Sequence, residues 1–269
     1  GAVGVNGAWA DVTGLQLAVG ANFAAGSVDG YQLAVGANIA GDVDGGQIGV
    51  GASIGGTVAG IQLAFANIAD DVNGIQLGMF NLAGTVKGAQ FGLINIAERS
   101  DIPIGLINIM WDQPVYFTAF TSENGLTSVG IQHGGEYLRY LYGVSVGPGG
   151  TVDLNAPETD RAPVIGVWAG VGVHAALTES WFVDIDTIAQ QVSRGDVNKQ
   201  SFLWTNRVVG GYAYSERIAF FAGPTINLLW TSFESGHGLP PGFVNKAYSG
   251  VAGESDLWIW PGLQIGLRL

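Results

Sequence analysis

The chain has 269 residues, of which 44 are Gly, 12% are charged and 48% are hydrophobic, with a mean hydropathy of +0.31; ordinary globular chains carry roughly 25% charged residues and about 7% Gly. So little charge cannot cover a water-facing surface of this size, so a membrane or a large assembly is the expected setting. A net charge of −12 with only 10 Lys and Arg excludes a phosphate-neutralising nucleic-acid surface, and the absence of Cys excludes disulfides and thiolate metal sites.

From Val12 the chain repeats the phrase V-x-G-x-Q followed by an alternating apolar run. Its Val stands at Val12, Val28, Val43, Val58, Val72 and Val86, and Ile102 opens a degenerate seventh copy. Spacings of 16, 15, 15, 14, 14 and 16 residues define one structural unit per copy. Within a copy the period is two: Gly30, Gln32, Ala34, Gly36 and Asn38 share one side, and Tyr31, Leu33, Val35, Ala37 and Ile39 the other. The segments between copies (GSVDG, GDVDG, ADDVNG, AGTVKG) are turn formers. Each copy is therefore about ten strand residues and about four turn residues. Its small face carries Gln16, Gln32, Gln47, Gln62, Gln76 and Gln90, and then Asn22, Asn38, Asn67, Asn81 and Asn95, with Ser53 replacing Asn in the third copy. Gln to Asn is six residues in copies one to three and five in copies four to six, so Asn67, Asn81 and Asn95 mark strand ends or follow a β-bulge. The charge-free stretch Gly45–Ala69 holds seven Gly and is not a helical span.

From Trp111 the repeat ends but strand patterning continues over Val115–Thr121, Leu126–Gly134, Tyr137–Val146, Val164–Leu177, Trp181–Val192, Phe202–Tyr214, Ile218–Trp230 and Leu257–Leu269. Tight joins such as LTESW and YSERI alternate with the long loops Gly147–Pro163 and Thr231–Asp256, the layout of an outer-membrane barrel. All but six of the 28 aromatics fall in this half, and Trp181, Tyr212, Tyr214, Trp230, Trp258 and Trp260 stand near strand ends, as interfacial girdle residues do. In the last strand Leu257, Ile259, Pro261, Leu263, Ile265, Leu267 and Leu269 make one apolar face, and Trp258, Trp260, Gly262, Gln264, Gly266 and Arg268 the other.

Ten residues at ~3.4 Å, tilted ~40°, cover on the order of 25 Å, the height of an outer-membrane apolar band. The expected fold is all-β: one transmembrane antiparallel β-barrel of roughly 14–16 strands, with residues 1–110 as the repeat half and 111–269 as the aromatic-rich half of a single 1–269 domain. Antiparallel copies would set each Gln level with the neighbouring Asn. The alternative is a parallel β-solenoid with one coil per repeat, which stacks the six Gln into a ladder.

The phrase V-x-G-x-Q-[LIF]-[GA] with its N-[IL]-A ending, as in GAQFGLINIA (Gly88–Ala97), resembles the surface-repeat outer-membrane proteins of the leptospiral type over residues 12–110. The resemblance implies a bacterial outer-membrane location and a barrel fold; it implies no chemistry.

For function the expectation is a porin-like or structural integral outer-membrane protein, not an enzyme. It is a homo-oligomer whose uncharged repeat wall meets neighbouring subunits or encloses phospholipid or lipopolysaccharide. A diffusion pore, a surface adhesin and a soluble solenoid are the alternatives. Asp184, Asp186 and Arg207 are candidate lumen charges, either a charged eyelet or, more in keeping with their neighbourhood, a structural ion pair. His133 has Ser128 and Glu136 near it in sequence, His174 has Glu179 and Ser180, and His237 lies in a Gly-rich loop; none stands in a nucleophile motif, so no catalytic residue is assigned. No His pair has metal-ligand spacing, and Asp42, Asp44, Asp70 and Asp71 occupy turns where Asp is expected for backbone reasons, so no metal or cofactor is assigned.

Overall fold

The computed structural model describes residues 1–148, 162–194, 200–232, 239–241, 244, 246–251 and 255–269, and His237, most of the Gly147–Pro163 loop and part of the Thr231–Asp256 loop lie outside them. The chain divides into two compact units, Gly1–Pro114 with Gly134–Leu138, and Val115–His133 with Arg139–Leu269.

The first unit contains β1 (Val5–Ala8), β2 (Val12–Ala18), β3 (Ala21–Ala24), β4 (Val28–Ala34), β5 (Ala37–Ile39), β6 (Val43–Gly49), β7 (Ala52–Leu63), β8 (Ala66–Leu77), β9 (Phe80–Leu82), β10 (Thr85–Phe91), β11 (Ile94–Ala97), β12 (Arg99–Ile104) and β13 (Ile107–Met110). Every pairing among them is parallel and in repeat register: Gln16 pairs with Gln32, Gln32 with Gln47, Gln47 with Gln62, Gln62 with Gln76, and Gln76 with Gln90. The repeat half is thus a parallel β-solenoid, and the expected antiparallel barrel of 14–16 strands does not extend through it. Each copy makes two short strands, V-x-G-x-Q-x-[AG] and [AFI]-[NS]-[FIL], folded over one another at a corner between Gln and Asn. Identical residues then stack from coil to coil, an arrangement that pairs amide with amide.

Two details of the sequence acquire their cause here. Gly14, Gly30, Gly45, Gly60, Gly74 and Gly88 have φ of 103°, 137°, 129°, 141°, 150° and 136°, and a Cβ on each from Gly30 onward would overlap the carbonyl of the Gly one coil earlier. Both the backbone angle and the close approach require glycine. The change from six to five residues between Gln and Asn is the loss of a corner residue: Gly20, Gly36 and Gly51 turn the first three coils, whereas the later coils turn through Phe65, Met79 and Leu93 without a bulge in the Asn strand.

At the opposite corner the residue before each Val alternates: Asp11, Ser27, Asp42, Thr57, Asp71, Thr85. Asp11 Oδ1 accepts the Ser27 N–H at 2.8 Å, Asp42 Oδ1 that of Thr57 at 2.8 Å, and Asp71 Oδ1 that of Thr85 at 3.0 Å. Alternation supplies a carboxylate cap to every second coil without stacking like charges one strand spacing (~4.8 Å) apart. The seventh coil starts at Ser100, not Ile102, since Val86 pairs with Ser100; a register shift follows, and Pro103 takes the Gln position opposite Gln90.

The second unit contains β14 (Tyr116–Ser122), β15 (Thr127–Gly134), β16 (Leu138–Gly147), β17 (Val164–Ala176), β18 (Trp181–Arg194), β19 (Gln200–Ala213), β20 (Ala219–Thr231), β21 (Lys246–Val251) and β22 (Ser255–Arg268). Eight of them run antiparallel in the order β14-β15-β16-β17-β18-β19-β20-β22, and β22 returns to β14 from Thr118↔Arg268 to Ser122↔Gln264. This is a closed eight-stranded barrel, matching the eight strands expected after Trp111; β21, inside the long loop, adds to the free upper part of β22. An eight-stranded barrel has an interior just wide enough to be filled by side chains. Here Phe120, Trp168, Phe182 and Phe221 fill one level and Leu126, Val192, Leu203 and Trp260 another. Gly172 and Gly211 make room inside, since a Cβ on either would overlap the side chain of Asp186 or Phe182.

Candidate functional site

In the solenoid the interior joins amide columns to an apolar core that includes Val43, Val58, Val72 and Val86, and the exterior around the Gln–Asn corner is apolar. Gln32, Gln47, Gln62, Gln76 and Gln90 are fully buried. Each donates from Nε2 to Oε1 of the Gln one coil earlier, at 2.7, 2.9, 2.8, 2.8 and 2.9 Å in turn. The second N–H reaches across the coil to a main-chain carbonyl, Ile54 O for Gln47 at 2.9 Å and Ile68 O for Gln62 at 3.1 Å. The Asn column runs with opposite polarity: Asn22 donates to Asn38 at 2.9 Å, Asn67 to Asn81 at 2.8 Å, Asn81 to Asn95 at 2.8 Å, and Asn95 to Asn108 at 2.7 Å. Asn108 extends the column beyond the sequence expectation, although the phrase GLINI at 92–96 recurs at 105–109 and marks it. The column breaks once, at Ser53, whose Oγ is buried without a partner, as is Asn67 Oδ1 beside it.

Leu17, Val19, Val35, Val50, Leu63, Phe65, Leu77 and Met79 face outward and are exposed, forming an apolar edge around the Gln–Asn corner. A shallow groove of about 670 Å³ along it is lined by residues such as Leu17, Val35, Ile48 and Val50. Polar side chains are concentrated at the opposite, Asp-capped corner.

In the barrel the sequence-predicted charges Asp184, Asp186 and Arg207 come together in the interior. Arg207 Nε donates to Asp186 Oδ2 at 2.7 Å, with both side chains 1% exposed. Arg207 Nη1 donates to Gln264 Oε1 at 3.0 Å, and Gln264 Nε2 to Ser122 Oγ at 3.0 Å. The guanidinium also lies over the rings of Phe120 and Phe221, 4.6 and 5.2 Å from their centroids. Asp184 is held by Arg268 and by His174, whose Nδ1 donates to Asp184 Oδ1 at 2.6 Å. These are structural ion pairs in a packed interior, not opposed charges across an open eyelet. Sequence reasoning missed Arg139, Arg268 and His174 as members of the group. Inward alternation on β22 places Arg268 beside Gln264, and His174 pairs directly with Asp184 across β17 and β18.

At the other end of the barrel Glu123, from the β14–β15 turn, accepts from Trp260 Nε1 at 2.7 Å, Asn227 Nδ2 at 3.2 Å and the Leu263 N–H at 2.9 Å. Trp260 is therefore an inward residue, 1% exposed, and Trp258 is half-buried. Trp181, Tyr212, Tyr214 and Trp230 are exposed on the outside, with Trp181 and Tyr212 in ring contact at 5.0 Å. The amphipathic split of the last strand is as expected except at Leu257, which is buried.

The two His neighbourhoods separate. His133 lies against Tyr140 and Tyr142, whereas Ser128 is buried and bonds Ser145 at 2.6 Å; five residues apart, they fall on opposite faces of β15. Ser180 and Glu179 line the same cavity as His174. Among the described residues no group of His, Cys, Asp or Glu has the geometry of a metal site. No protein-family model matches the chain, and neither a curated protein nor a solved structure matches it.

Proposed function

We propose that this chain is an integral outer-membrane protein of a diderm bacterium with a structural role, in which the barrel is the transmembrane anchor and the solenoid's apolar edge is in contact with lipid. The observation that carries the reading is the apolar exterior present in both units, laid over interiors that hold buried amides in the solenoid and buried ion pairs in the barrel among apolar side chains. On the barrel, Val129, Val144, Val167, Val173, Ile185, Val208, Ile226, Leu263 and Ile265 are all exposed, a contiguous apolar coat far larger than water tolerates. Strands of 13 or 14 residues on β17–β20 and β22 exceed the roughly 9–11 residues needed to cross a bilayer. Backbone closure between β14 and β22 joins the sheet into a ring from Thr118↔Arg268 to Ser122↔Gln264, as a lipid-facing sheet requires. Interior packing supports a structural role over conduction, and the resemblance of the repeat to surface-repeat proteins supports the outer membrane as the location.

Three measurements test the reading. Purified protein should require detergent, show heat-modifiable migration on gels, and have Trp181 and Trp230 quenched by brominated acyl chains in vesicles. A monodisperse detergent-free chain would refute it. Planar-bilayer recording should give no steady conductance; reproducible open channels would restore the diffusion-pore alternative. Self-association through the apolar edge is the competing arrangement. Native mass spectrometry from lipid nanodiscs separates a lipid-bound chain from a homo-oligomer.

A further inference from the structure

The short-turn end of the barrel opens into a cavity of about 430 Å³, within the size range of small-molecule sites. Its inner wall holds Tyr116, Arg139, His174, Phe182 and Arg268, and its mouth the turns Thr178–Ser180 and Ser215–Arg217. Both guanidiniums pack on Tyr116, Arg139 at 5.3 Å and Arg268 at 5.4 Å from the ring centroid, and Arg268 also lies 4.8 Å from Phe182.

Among the described residues the charges at this level do not balance. Three guanidiniums, Arg139, Arg207 and Arg268, face two carboxylates, Asp184 and Asp186, and the ion pairs Arg207–Asp186 and Arg268–Asp184 use both carboxylates. Among the described residues Arg139 is the cation left over. Its Nη1 is shielded from solvent with no acceptor, and so is Nε of Arg268, itself only 5% exposed. A buried guanidinium N–H without an acceptor is costly, and both side chains that carry one line this cavity. Glu179 and Glu216 stand on the rim with Arg217; all three are exposed, where salt screens them over ~8 Å. The walls beside the guanidiniums are apolar or aromatic (Phe182, Ile218, Ala176).

We propose that this cavity is a binding site for a small amphipathic anion, its carboxylate or phosphate head on Arg139 and Arg268 and its compact apolar body against Phe182 and Ile218. The proposal concerns the barrel interior alone and stands whether or not the protein is a conduit.

The test is isothermal titration calorimetry on the full chain in neutral detergent at physiological ionic strength, with three probes: benzoate, inorganic phosphate, and benzamidine as the cation of similar shape. Benzoate should saturate with one site and bind at least tenfold more tightly than phosphate, and benzamidine should give no saturable heat. Arg139→Gln should weaken benzoate at least tenfold, the scale of a lost charge-assisted bond, while Arg217→Gln leaves it within twofold. Absence of saturable heat with both anions, or equal binding of benzoate and benzamidine, would overturn the site, and both are read on the unmutated protein. Phosphate binding as tightly as benzoate would overturn the amphipathic part. Benzoate bound equally by a folded Arg139→Gln variant would remove Arg139 from it.

Discussion

Ser53→Asn should stabilise the solenoid, although it adds a polar side chain to a fully buried position. Ser53 pairs in register with Asn38 on one side and Asn67 on the other, so the stack already has the spacing of an Asn column. In the next coil Ala64 stands where Ala34 stands beside Asn22, and Asn22 fits there while bonding both Asn38 and the Leu33 carbonyl. By the same pattern Asn at 53 accepts from Asn38 and donates to the orphaned Asn67 Oδ1 and to the Leu63 carbonyl. Three bonds at about 1 kcal/mol net each, less about 1 kcal/mol for ordering the longer side chain, give a gain of roughly 2 kcal/mol. Hydrogen-exchange mass spectrometry in detergent should find the backbone amides of 36–82 exchanging about thirtyfold more slowly, with the barrel strands unchanged. Exchange equal to or faster than in the parent would refute the account of Ser53 as a gap in the column. Ser53→Ala, which removes the orphan hydroxyl without repairing the column, should stay within about 0.5 kcal/mol of the parent.

Gln62→Met keeps side-chain length but leaves Gln47 Oε1 and one Gln76 N–H without partners and removes the side-chain bond to the Ile68 carbonyl; at about 1–3 kcal/mol for each orphaned group it should cost the solenoid about 3–5 kcal/mol in urea unfolding. Gly60→Ala meets a φ of 141° and the Gly45 carbonyl together, so a loss of about 3 kcal/mol or more should appear as local exchange protection lost in the coils around Gly45–Gly74. Arg207→Met strands Asp186 in the barrel and should cost about 3–5 kcal/mol, whereas pairing it with Asp186→Leu should recover most of that; heat-modifiable migration and thermal unfolding compare the two. If the double variant is no more stable than the single one, the pair is not the source of the loss.

Much of the barrel was legible from residue pattern alone. Apolar alternation locates all eight strands because each has one face on a filled interior and one on an apolar exterior, and the turn residues in LTESW and YSERI bound them sharply. Asp184, Asp186 and Arg207 were readable as lumen charges by the same alternation. Their partners were not: Arg268 reaches Asp184 from β22, a strand that only closure of the sheet brings near, and His174 reaches it across the β17–β18 hairpin. Trp260 shows the limit of reading by position near a strand end, since its indole turns inward to Glu123 from a distant turn.

The repeat divides along the same line. By itself the sequence determined the period, the recurrence of glycine two residues after each Val, and the recurrence of an amide at fixed places in an apolar phrase. It left the direction of pairing open, because a two-residue alternation is the same in a parallel and an antiparallel strand. That choice belongs to the tertiary structure: a corner between Gln and Asn folds each copy on itself, and stacked coils then place Gln on Gln and Asn on Asn. In that register every buried Gln N–H between Gln32 and Gln76 finds an acceptor, which spares the cost of an unpaired buried amide.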